Sequence, residues 1–248
     1  MPIKYLSALT AVQRTARSNR HFGVTLAFVA GALNAGGFLA IGQYTSHMTG
    51  FVSLAADYMV LGNLALALAA LLSILSFLCG AASTAILVNF ARRKGSAAVY
   101  TAPLLIEAAL LALFGVVGTR LQTHALVNIS LLAMLLCYAM GLQNALVTKV
   151  SNAEIRTTHV TGLITDFGIE LGKLVYWNRG GAMPSAPQVR ANRERLGVHG
   201  SLIGAFFVGG LSGAAGFNYL GFTSAIPLAL VLAVIALAPN LEARRLRD

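Results

Sequence analysis

Charge is what this sequence has least of. Charged residues make up 10% of the 248, whereas soluble domains carry about a quarter. A chain with so few charges cannot solvate the surface of a soluble globule, and hydrophobic residues reach 57%. Cysteine is scarce as well: Cys79 and Cys137 both lie inside apolar stretches, in no CxxC and at no metal-ligand spacing. They read as buried free thiols. HExxH and the nucleophile elbow are missing, which removes the commonest zinc-hydrolase and serine-hydrolase patterns.

Several apolar runs of about 20 residues remain, long enough to cross a bilayer. They predict an all-α polytopic membrane protein forming a single membrane domain over 1–248. Spans are expected near 22–42, 64–90, 98–118, 126–147, 201–220 and 222–239, with 178–199 a surface loop. The first run is longer than the roughly 7–15 residues of a signal peptide's apolar core, so it reads as a retained span. Two shorter apolar pieces, 51–60 and 163–177, follow polar islands. Ten helical residues rise only about 15 Å, half a bilayer, so such a piece reads as re-entrant.

The islands are the sequence's most distinctive feature. Thr45-Ser-His-Met-Thr-Gly50 returns as Thr157-Thr-His-Val-Thr-Gly162. Around them the chain repeats itself in order: Gly31-Ala-Leu-Asn34 with Gly141-Leu-Gln-Asn144, Phe77-Leu-Cys-Gly80 with Phe207-Val-Gly-Gly210, and Pro103-Leu104 with Pro227-Leu228. The repeats cover about 22–118 and 126–239. Each has three spans, an odd number, so the two are expected to face opposite ways across the membrane, each with a short re-entrant or broken helix after its first span.

Net charge is +10. Nucleic acid is not the implied partner, because the basic residues lie between apolar runs. Six spans with cytoplasmic tails 1–21 and 240–248 place 17 of the 18 Lys and Arg on one side, leaving Arg120 opposite. That side is expected to be the cytoplasmic face of a bacterial inner membrane. Membrane lipid and a small solute or ion are the expected partners, and a homo-oligomer is compatible with the pattern.

Asn34, Ser46-His-Met-Thr-Gly50, Gly141-Leu-Gln-Asn144 and Arg156-Thr-Thr-His-Val-Thr-Gly162 with Leu163-Ile-Thr-Asp166 resemble the YoaK-type bacterial membrane proteins (domain of unknown function 1275). The resemblance covers about 20–240. It implies an integral inner-membrane protein and carries no substrate. Where that family often has asparagine after the first Thr-Gly, this chain has Phe51.

Candidate pathway residues are therefore argued from chemistry. His47 and His159, with Thr49, Gly50, Thr158, Thr161 and Gly162, either bind a proton, metal or anion or pin the re-entrant turns. Ionisable groups at membrane depth mark pathways by default, which brings in Asp57, Asp166, Glu170 and Glu107. Asp166 and Glu170 share a helix face, and Asp166 is a candidate to pair with Lys173 or Arg156. Asn34 and Asn144 either line a polar cavity or bond across helices. Arg156 either attracts an anion or only sets topology. The leading expectation is a transporter or channel whose islands meet in one central polar site, with no catalytic residue, metal ligand or cofactor assigned. A membrane enzyme using the His and carboxylate residues, or a sensor or scaffold, stands as the alternative.

Overall fold

The computed structural model describes residues 15–96, 98–121, 127–151, 157–176 and 188–245. Among them the chain forms α1 (Ala16–Ile41), α2 (Met48–Val60), α3 (Leu64–Arg93), α4 (Thr101–Leu121), α5 (Val127–Val150), α6 (Val160–Val175), α7 (Arg193–Leu220), a 3-10 turn (Gly221–Ser224) and α8 (Ala225–Arg245). No strand occurs among the described residues. Among the described residues five stretches are long and apolar enough to cross a membrane; the fifth, of 47 residues, contains α7 and α8 as far as Pro239.

Local chemistry sets the helix ends. Thr15 accepts a bond from the Ser18 amide at the start of α1, and Asn63 does the same for Leu66 at the start of α3. Asn192 accepts from the amides of Glu194 and Arg195, so α7 begins at Arg193. The charged residues 193–199, expected in a loop, are thus the first two turns of a helix. Gly221, at φ 63°, ends α7 in a conformation that favours glycine. The following Phe222 is buried against α4, where a Cβ on Gly118 would lie 2.0 Å from its ring.

Two helix pairs form the body. In α1 and α7, a Cβ on Gly31 would meet the Phe206 carbonyl oxygen at 2.0 Å, and one on Gly209 would meet that of Phe28 at 2.0 Å. In α3 and α5, Gly141 stands in the same relation to Phe77, and Gly80 to Tyr138, each at 2.0 Å. Backbone therefore lies on backbone, which only glycine permits. One turn further along, Gly213 closes on Ala32 in the first pair, while the Thr84 hydroxyl donates to the Leu142 carbonyl at 2.9 Å in the second. The same contacts thus occur twice, each time between a helix of the first half of the chain and a helix of the second. Gly204, by contrast, faces open space.

Contact order fixes direction. Within each of these pairs the partners run parallel, whereas α1 and α5 cross antiparallel, with the Gln143 amide donating to the Leu26 carbonyl and Gly37 against Leu136. α4 and α8 are also antiparallel: Thr101 donates to the Ala236 carbonyl, and Gly115 faces Ile226. The starts of α1, α4 and α7 and the ends of α3, α5 and α8 consequently share one end of the bundle. Arg17, Arg20, Arg92, Arg93, Lys94, Lys149, Arg193 and Arg195 gather there, and Arg120 lies at the other end.

Candidate functional site

Each island turns the chain back against the helix that precedes it. After α1 ends, the Asn34 side-chain oxygen accepts from both the Ser46 amide, at 3.3 Å, and the Ser46 hydroxyl, at 2.9 Å. In the second island the Asn144 oxygen accepts from the Thr158 hydroxyl at 2.5 Å, while its amide donates to the Met140 carbonyl. The island therefore lies alongside the body of the helix instead of beyond its end. α2, of 13 residues, then packs Phe51 and Ala55 in a cluster with Ala70 of α3 and Cys137 of α5. α6, of 16 residues, packs on α7, where Phe167 lies over Gly200.

The α1–α5 crossing gives the relative depth of the two anchors. From the Leu26–Gln143 and Gly37–Leu136 contacts, Asn34 and Asn144 differ in level by about seven residues, or about 10 Å at 1.5 Å per residue. That is about a third of a hydrocarbon core. The islands are close in depth, but α2 and α6 share no packing interface: α2 lies on α3, and α6 on α7.

Within the islands, His47 and His159 occupy the N-cap positions of α2 and α6 with similar backbone angles, φ −91° and −80°, and neither caps with its side chain. Both residues are exposed, as are Thr49 and Thr161. Thr45 and Thr157, two residues earlier, are fully buried with hydroxyl oxygens that have no partner among the described residues. A buried polar group left unpaired costs about 1–3 kcal/mol, and here the cost falls at the same place twice. The islands differ in one respect: the His47 ring lies on Gly50, where a Cβ would be 2.2 Å from it, whereas Gly162 has nothing within 4 Å.

The carboxylates lie elsewhere. Asp57 is exposed on the last turns of α2. Glu107 is fully buried in α4 with both oxygens unpartnered, in a helix that packs on α8 and α5. Arg156 lies outside the described residues. No group of three His, Cys, Asp or Glu among the described residues is arranged to hold a metal.

Asp166 and Glu170 do come together, on a cavity of about 850 Å³ at the basic end, bounded by the first turns of α1 and α7 and the second half of α6. Lys173 pairs with Glu170 at 2.8 Å, and not with Asp166 as the sequence suggested. The other Glu170 oxygen accepts from the Asn192 amide at 2.7 Å. These two bonds, with nearby Arg195, hold the Glu170 carboxyl below the usual glutamate value, outweighing burial. Arg20 crosses from α1 to the Gly197 carbonyl of α7 at 2.9 Å.

Sequence reasoning missed Thr45, Thr157, Ser46 as anchor, and the grouping of Arg17, Arg20, His21, Arg195 and His199 on this cavity. The repeat itself marked the first three. For the cavity, the signal was a run of charge that also serves topology.

No curated protein and no solved structure matches the chain. A family model does, across residues 22–238, the stretch that includes both islands and the glycines that close both helix pairs. The chain belongs to the family described as Protein of unknown function (DUF1275).

Proposed function

We propose that the protein is an inner-membrane transporter or channel for a small solute or ion, built from two oppositely facing three-span repeats with both tails cytoplasmic. α7 and α8 count as separate spans in this reading, 28 and 21 residues long and divided at Gly221. The antiparallel α1–α5 crossing, the doubled glycine contacts and the basic residues at one end support it.

One observation carries the functional part. An asparagine in the first helix of each repeat holds the start of a half-length helix by its island, Asn34 to Ser46 and Asn144 to Thr158. Half-helices beginning inside the bilayer expose amides and carbonyls that lipid cannot satisfy, so such breaks persist where protein or a wet path surrounds them. The unpaired Thr45 and Thr157 hydroxyls and the exposed His47 and His159 supply polar groups to that path.

Uptake of phosphate, chloride and amino acids into proteoliposomes tests the proposal. Wild type should accumulate or equilibrate at least one of them. Asn34→Ala with Asn144→Ala should reduce that uptake, and His159→Ala should reduce it without reducing expression. Full uptake in the double asparagine variant would remove the islands from the path.

A further inference from the structure

The cavity at the basic end is not part of either island, and its lining has a chemistry of its own. Arg17 and Arg20 come from α1, Lys173 from α6, and Arg195 from α7. Lys173 is spent on Glu170, whose two oxygens are both engaged. Arg17, Arg20 and Arg195 remain, against Asp166 and Glu194. α1 and α7 run parallel and begin here, so both present N-termini, each worth about half a positive charge. The C-terminal end of α6 opposes them, with Lys173 in its last turn. The balance is positive, which suits an anion.

The lining also specifies which kind. Asn19 and His199 line this cavity, and behind its wall Asn19 Oδ1 and His199 Nδ1 are buried with no hydrogen-bond partner among the described residues. Asp166 and Glu194 are exposed acceptors that can take a donor from the occupant in place of water, while the guanidinium groups take acceptors. A chloride ion offers no donor, and neither does sulfate at neutral pH. A phosphate group that retains a hydroxyl offers both.

We infer that this cavity, between the first turns of α1 and α7 and the second half of α6, binds a hydroxyl-bearing phosphate group, as free phosphate or as the headgroup of an acidic phospholipid. The guanidinium groups bind its charged oxygens, and Asp166 accepts from its hydroxyl. The site goes beyond the transport reading and stands whether or not the protein moves a solute.

Thermal unfolding of the full-length protein in detergent tests it with inorganic phosphate and sulfate at matched ionic strength, because a ligand of the native state raises the melting temperature. Phosphate should raise it saturably, and sulfate should do so far more weakly. Arg195→Gln and Arg17→Gln should each weaken phosphate binding by about tenfold or more, the loss expected for a charge-assisted bond. Arg120→Gln, at the other end, should bind as wild type does. Asp166→Asn should narrow the preference for phosphate over sulfate. The lipid source is tested in phosphatidylcholine nanodiscs with and without phosphatidic acid: stabilisation by phosphatidic acid that competes with free phosphate assigns the site to a headgroup, and stabilisation by free phosphate alone assigns it to a solute. If neither phosphate nor phosphatidic acid shifts the melting temperature, if sulfate matches phosphate, or if Arg17→Gln and Arg195→Gln together leave the shift intact, the inference is wrong. Should Arg195→Gln fail to fold, Arg17→Gln, an exposed position on α1, decides alone.

Discussion

At the scale of single residues, the two islands share a motif and not every contact. At Gly50 a Cβ would meet the His47 ring, while Gly162 has open space. Gly50→Ala should therefore cost about 1–3 kcal/mol, as overpacking does, or push His47 out of position. Gly162→Ala should be neutral, or stabilising by about 0.5–1 kcal/mol from helix propensity. Thermal unfolding of the two variants side by side checks this, and equal effects would show that the glycines do the same job.

Glu170 gives a pH dependence. Its carboxyl is held below the ordinary value of 4.5 by Lys173 and the Asn192 amide. A depressed pKa means the folded state binds the proton less readily than the unfolded one. The stability this contributes is fully present above about pH 4.5 and is lost as pH falls through the lower folded value. In melting curves from pH 3 to 7, Glu170→Gln should start less stable at neutral pH and fall less on acidification. An acid limb as steep as wild type's would assign the loss to other groups.

Helices were more legible in the sequence than contacts between them. Asn63 and Gly62 after a ten-residue apolar run marked α2 as a separate short helix, because a break about three turns from an island leaves too little length to span. The start of α7 was not legible: Arg193, Glu194 and Arg195 look like loop chemistry, and only the capping Asn192 signals a helix. Glu170 with Lys173 has the i, i+3 spacing of a helical ion pair, whereas Asp166 stands seven residues, or two turns, from Lys173, so helix spacing already favoured Glu170 over the expected Asp166. The glycines were legible in part. Gly209 and Gly213 are four apart and both close on α1, but Gly204, at the same spacing from Gly200, has open space where a Cβ would stand. Which glycines matter depends on the crossing point, which no local pattern contains.

That crossing point sets the prediction for elements. Gly31→Leu in α1 or Gly141→Leu in α5 should each destabilise the protein by about 1–3 kcal/mol or more, because the obstacle is backbone and cannot rotate away. Gly204→Leu should leave the melting temperature near wild type's. Comparable losses at all three positions would contradict the proposed helix pairing.

For the whole molecule, the two halves are interleaved: α1 pairs with α7 and α3 with α5, so each half depends on the other for its closest packing. The shared family covers both halves as one unit, residues 22–238. Interleaving also sets where the short helices point. α2 runs from its island toward the end that holds Arg120, and α6 runs toward the end that holds Arg17 and Arg195. Opposed half-helices whose starts lie about 10 Å apart in depth are what the transport proposal needs.

Cysteine accessibility measures that opposition directly. In a chain with Cys79→Ala and Cys137→Ala, single cysteines at Asn63, beyond the end of α2, and at Tyr176, beyond the end of α6, are exposed to a membrane-impermeant thiol reagent. The account predicts that Asn63→Cys reacts in intact cells, whereas Tyr176→Cys reacts only when the cytoplasmic face is opened. Labelling of both from the same face would contradict it.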